Sequence, residues 1–176
     1  MANIPKSTQL RREALRNRFR PASLKLLFIG EAPPASGRFF YQADSGLYRA
    51  MREAFQLVDP TISEADFLTQ FQAFGCYLID LCPDPVDQLA ANLRRASCVA
   101  NEEALADMIG RLHPRAVATI VRSIEASVER SLRLANWHGP IVHLPYPGRW
   151  SHHKAEFIRT LKPLLETFQQ TAIARP

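Results

Sequence analysis

The sequence predicts an α/β fold, a three-layer sandwich in which a four-stranded, mainly parallel sheet lies between helices. Three observations lead there. Four compact apolar runs, at residues 24–30, 76–82, 116–121 and 141–145, have the character of strands buried on both faces. The segments between them carry apolar residues at helical spacing, as crossovers between parallel strands do. With 176 residues, 47% hydrophobic and 22% charged, the chain has the length and balance of one ordinary domain.

The elements follow in order. Residues 1–23 form a basic helical arm. Residues 1–25 hold seven basic groups (Lys6, Arg11, Arg12, Arg16, Arg18, Arg20 and Lys25) against the single acid Glu13, a net +6. The whole chain carries +5, so the remainder sums to −1. A basic arm suits phosphate contact, and a solvated Arg-rich helix is the plainer alternative. The first strand, residues 24–30, ends at Gly30, and a Pro- and Ser-containing loop runs to about Ser45. Helices are predicted over 47–57 and over 63–73, the second with Ser63 as N-cap. The second strand, 76–82, is stopped by Pro83. A short helix is expected over 86–96. Asn101 is placed to cap the next helix, which His113-Pro114 ends near Leu112, with Glu102 and Glu103 at its positive end. A strand at 116–121, a helix at 123–134 and a strand at 141–145 complete the alternation. The last helix, 153–169, is expected to be bent or interrupted near Pro163, with residues 171–176 as a loose tail.

The totals exclude several classes. Three cysteines without dense spacing argue against a disulfide framework, and Cys76 and Cys82 read as reduced core residues. No CxxC, HExxH, GxGxxG or P-loop pattern occurs, so neither a metal nor a cofactor is expected. No apolar run approaches bilayer length, and no apolar signal core follows the basic start. A cytoplasmic protein without membrane association is the expectation.

Ligands of parallel α/β sheets bind beyond the carboxyl ends of the strands. The loops that begin at Glu31, Pro83 and Tyr146 therefore outline the expected cleft. The first reads GEAPPASGRFFY, from Gly30 to Tyr41. A carboxylate at a strand end beside the flat rings of Phe39, Phe40 and Tyr41 suits a pocket for a nucleobase. A salt-bridged turn with core aromatics is the alternative. Asp80, near the end of the second strand, either lines this pocket or caps or pairs elsewhere. Arg38, Arg149, His152, His153 and Lys154 are candidate phosphate contacts, the last four near the mouth of the final helix.

Gly30-Glu31-Ala32-Pro33 resembles the GEAPG first motif of one branch of the uracil-DNA glycosylase superfamily, with Pro34 in the fifth position. The second strand, Tyr77-Leu78-Ile79-Asp80-Leu81-Cys82, resembles the YITNVVKC strand of relatives, with Asp80 where they carry Asn. Around Pro145 the chain is similar to the HPS loop. There Leu144 stands in the place of the His, His143 comes one residue early and Tyr146 falls near the Ser. The resemblance implies a cofactor-free fold of four parallel strands. It makes Glu31 the water-handling catalytic candidate and Phe40 the stacking group, with Phe39 or Tyr41 as off-by-one alternatives. Ala32 and Asp80 become base contacts, and Tyr146 joins the phosphate-binding set. An Asn amide can both donate to and accept from a uracil edge, whereas an ionised Asp only accepts. A protonated Asp80, a different preferred base or a site for another ligand would each fit that change. Some relatives carry an iron–sulfur cluster, which three cysteines cannot supply with four thiolates.

The expected function is hydrolysis of the N-glycosidic bond of a deaminated or damaged base in DNA, by a monomer. The alternative within the superfamily is a catalytically inactive binder of nucleic acid or free nucleobase. A small-molecule hydrolase or transferase using the same cleft, or a generic α/β domain with a chance motif, are the remaining readings.

Overall fold

The computed structural model describes residues 6–148 and 150–173. Four strands, β1 (Leu26–Gly30), β2 (Cys76–Asp80), β3 (Ala116–Thr119) and β4 (Ile141–His143), form one sheet in the order β2-β1-β3-β4. Every pairing is parallel, with Leu26 opposite Cys76 and Ala116, and Val117 opposite Ile141. All of β1 is buried, as its unbroken apolar run requires for a strand with neighbours on both sides.

The helices are α1 (Lys6–Arg18), α2 (Gly46–Val58), α3 (Phe67–Ala73), α4 (Ala91–Ala100), α5 (Glu102–Leu112), α6 (Glu125–Leu134) and α7 (Ser151–Ile173). α2 packs with α7 and α5 with α6, the pairing that right-handed crossovers on the two faces of this sheet require. The result is the α/β sandwich expected from the sequence. Between α2, α3 and β1, the rings of Phe28, Phe55, Phe67 and Phe71 are wholly buried, Phe28 stacked on Phe71 and the other pairs edge-on or tilted, with centroids 5.4 to 5.9 Å apart. Each such ring removed from water stabilises the fold by about 1.5–3 kcal/mol. No helix among the described residues is long and apolar enough to cross a membrane.

Several local expectations are corrected. Ser63 does not cap a helix at 63. Its hydroxyl accepts from the Asp66 N–H and donates to the Asp66 carboxylate, closing a turn from which α3 starts at Phe67. The helix placed at 86–96 lies instead at Ala91–Ala100. Asn101 makes no side-chain cap on α5. Its amide donates to the Ser97 carbonyl and closes the end of α4. His113 does end α5, in a left-handed conformation before Pro114. α7 runs unbroken through Pro163 to Ile173, so the loose tail cannot begin at Thr171. The basic arm is also not free. α1 docks against the 3-10 turn Phe40–Gln42, with Arg12 buried and Arg16 turned inward, while Arg11, Arg18 and Arg20 stay exposed.

Candidate active site

The carboxyl ends of the strands open into a cavity of about 340 Å³, a size ordinary for small-molecule sites. β1 delivers Gly30 and Glu31 to it, β2 delivers Asp80, and the chain beyond β3 delivers Ile120 and Val121. Ala32, Arg38, Phe39 and Phe40 come from the first loop, Arg94 from α4, and Tyr146 from the loop after β4.

Glu31 is anchored. Arg94 grips it with a fork, Nε donating to Oε1 at 2.7 Å and Nη2 donating to Oε2. The Ser123 hydroxyl donates to Oε1 at 3.2 Å. Only 10% of the Glu31 side chain is exposed, so these donors take the place of water around the charge. Beneath it lie Cys98, its sulfur 4.0 Å from Oε1, and Cys82, 3.9 Å from Cys98. Burial pushes the Cys98 thiol up to about 12, and it raises Cys82 as well, so both are neutral thiols beside the carboxylate.

Asp80 sits opposite Gly30 in the strand register. A Cβ on Gly30 would come within 2.9 Å of Asp80 Oδ1, so the glycine makes room for the carboxylate. Arg16 Nη2 donates to Oδ2 at 2.8 Å. Burial raises the Asp80 carboxyl above its ordinary value, and the charges of Arg16 and Arg12 oppose that rise.

The aromatic residues divide. Phe39 and Phe40 both line the cavity, and Phe40 is braced by Tyr48 and Phe71 at 5.9 and 5.2 Å. Tyr41 is removed from the base-binding set. It is buried and lines no part of this cavity, because its hydroxyl accepts from the Leu78 N–H at 2.7 Å and donates to the Leu78 carbonyl at 3.1 Å. It satisfies the outer side of the edge strand β2.

The phosphate candidates are scattered. Arg38 is exposed at the cavity mouth, and Tyr146, 53% exposed, lines it as well. Arg149 lies outside the described residues. His152 and His153 pack edge to face in the first turn of α7, and Lys154 is taken by Glu53 at 2.7 Å. None of these three lines the cavity. His143 turns away from it toward Thr119, 2.9 Å from its Nδ1, and toward Glu125 and Glu129, while Leu144 is buried.

Sequence reasoning missed Arg94, Ser123 and the inward role of Arg16. Arg94 follows Leu93 and precedes Arg95 in an otherwise unmarked helix. Nothing local distinguishes it from its neighbour.

No curated protein matches the chain. Residues 17–170 match the family model of the uracil DNA glycosylase superfamily, nearly the whole chain and every strand of the sheet. The chain therefore belongs to the uracil DNA glycosylase superfamily.

Proposed function

We propose that the protein is a DNA glycosylase that hydrolyses the N-glycosidic bond of a deaminated or otherwise damaged base. One observation carries the reading: a single cavity holds an anchored carboxylate, two aromatic rings and a second carboxylate deep on one wall. The nucleotide is extruded from the helix and its base lies against Phe40 or Phe39, with Ala32 at its side. Asp80 meets the polar edge of the base. As the C1′–N bond breaks, its electron pair leaves with the base and the sugar becomes cationic. Glu31, fixed at the end of β1, stabilises that cation and orients the water that adds to C1′. Among the described residues its Oε2 accepts only from Arg94 Nη2 and keeps a lone pair, so water can still donate to it. Arg38 and Tyr146 hold the flanking backbone at the mouth, and His152 and His153, in the first turn of α7, extend that contact beyond it.

The test is release of free base from oligonucleotides carrying uracil, hypoxanthine, xanthine or a mismatch, with Glu31→Gln as control. Release lost in Glu31→Gln with DNA binding retained supports the reading. Loss of both in a folded variant removes Glu31 from catalysis.

A second reading, a superfamily member that binds nucleic acid or nucleobase without cleaving it, is favoured by two features. Arg94 engages both oxygens of Glu31, and His143 faces away from the cavity. DNA binding without release of any base from the panel selects it.

A further inference from the structure

Asp80 stands between two cavities. In front is the main cleft. Behind it lies a smaller space of about 140 Å³ bounded by Arg12 and Arg16 of α1 and by Met108 of α5. Arg16 lines the rear space and not the main cleft, and it approaches Oδ2 from there. Oδ1 lies over Gly30 and receives no hydrogen bond from the described residues. The guanidinium is held in place, with its carbon 5.6 Å from the centre of the Phe39 ring. Its Nε is buried and unpartnered, so the bond to Asp80 is the one ion pair that this side chain makes among the described residues. Arg16 also lies just before residues 17–170, the span that matches the superfamily. The matched span supplies the carboxylate, and α1, of which only the last two residues fall within that span, supplies its counter-charge.

We propose that Arg16 is a specificity-determining positioning residue: from behind the pocket it keeps Asp80 an acceptor, so that the pocket prefers a base edge bearing an amino donor to one bearing a carbonyl. The proposal rests on the base-reading role of Asp80 given above, and it narrows the target of that reading from a deaminated base to a damaged or mismatched base that keeps its amino group. An ionised carboxylate accepts from an amino group and repels a carbonyl oxygen, whereas a protonated one offers both a donor and an acceptor, as an amide does. The groups around Asp80 leave the choice to α1. Tyr41, from the 3-10 turn, and Cys82, just past β2, are both held neutral by burial. Glu31 and Asp87 are the other acids of the cleft, Glu31 neutralised by Arg94 and Asp87 accepting from the Ala35 N–H, and Glu13 lines the rear space beside Arg12 and Arg16. Arg16, and to a lesser degree Arg12, are the cations that act on Asp80. Without them, burial alone acts, and it favours the neutral acid.

Cytosine and uracil share a ring and differ in this respect at C4, where one has an amino group and the other a carbonyl. The experiment measures binding of each free base to the full chain across the neutral pH range, for wild type, Arg16→Gln, Arg16→Lys and Asp80→Asn. In parallel, carbon-13 NMR of aspartate-labelled protein follows the Asp80 carboxyl. The expected result is a wild-type preference for cytosine of about tenfold or more. Arg16→Gln should move the Asp80 titration upward by about one to three pH units and reduce the preference by about tenfold. Arg16→Lys, which keeps the charge, should restore much of it. Asp80→Asn should lose both the preference and its pH dependence. If Arg16→Gln does not fold, Arg12→Gln carries the same test with a smaller expected shift.

An unmoved Asp80 titration in folded Arg16→Gln overturns the proposal. So does a moved titration with an unchanged preference. Failure of wild type to bind either base overturns the base-pocket reading itself and this proposal with it. That outcome is distinct from failure of the proposal alone, in which both bases bind and the preference ignores Arg16.

Discussion

Replacing Arg94 with Met keeps the length and apolar stem of the side chain and removes the fork that holds Glu31. Two charge-assisted hydrogen bonds are lost, each worth about 1.5–3 kcal/mol where water does not compete. Water does compete on the Arg94 side, which is 38% exposed, and much less on the Glu31 side, which is 10% exposed. Screening at the open end reduces the expected loss to about 1–2 kcal/mol. For a chain of this length that lowers the melting temperature by about 2–8 °C. Urea unfolding of wild type, Arg94→Met, Glu31→Gln and the double variant gives the coupling between the two side chains directly. Single-turnover base release should also fall about tenfold or more in Arg94→Met, because the carboxylate remains but is no longer aimed. A coupling below about 0.5 kcal/mol would refute the argument, since Glu31 would then owe its position to the backbone and not to Arg94.

Gly30→Ala places a methyl group 2.9 Å from Asp80 Oδ1, which Arg16 prevents from moving freely. It should cost about 1–3 kcal/mol in urea unfolding and weaken free-base binding. Tyr41→Phe removes two buried hydrogen bonds to Leu78 and should cost about 1–3 kcal/mol while leaving base binding unchanged; a selective loss of binding would return Tyr41 to the pocket. Glu102 is held below the ordinary carboxylate range by the Arg130 fork, so its stabilisation is present at neutral pH and is lost as pH falls through that lowered value. Thermal melts should show Glu102→Gln less stable than wild type near neutrality and converging with it in acid. Asp80, raised by burial, has the opposite sign: its contribution declines as pH rises from the ordinary carboxyl range through its raised value. The stability of wild type relative to Asp80→Asn should therefore fall over that interval.

The four strands and their crossovers were legible because each rests on a local pattern. An apolar run such as Leu26–Gly30 has a side chain to bury on either face, which suits a strand between two neighbours. Helix ends were less legible. Ser63 and Asn101 both have the chemistry of N-caps, yet Ser63 closes a preceding turn and Asn101 closes the preceding helix. A short polar side chain can serve either neighbour, and the packing of the flanking segments decides which. The candidate site was legible at Glu31 and Asp80, which stand at strand ends. It was not legible at Tyr41, because the chain turns into a 3-10 helix at Phe40 and carries the third ring away from the cleft.

By itself the sequence determined the layer architecture, the position of the cleft and the motif at its floor, since periodicity, strand ends and loop chemistry are properties of neighbouring residues. Only the tertiary structure decided which charges meet in that cleft. Arg94 reaches Glu31 across 63 residues and Arg16 reaches Asp80 across 64. The order β2-β1-β3-β4 and the docking of α1 and α4 bring these groups together. A buried carboxylate draws its counter-charge from whichever element packs nearest in space, and nearness in space at such separations is set by the fold as a whole.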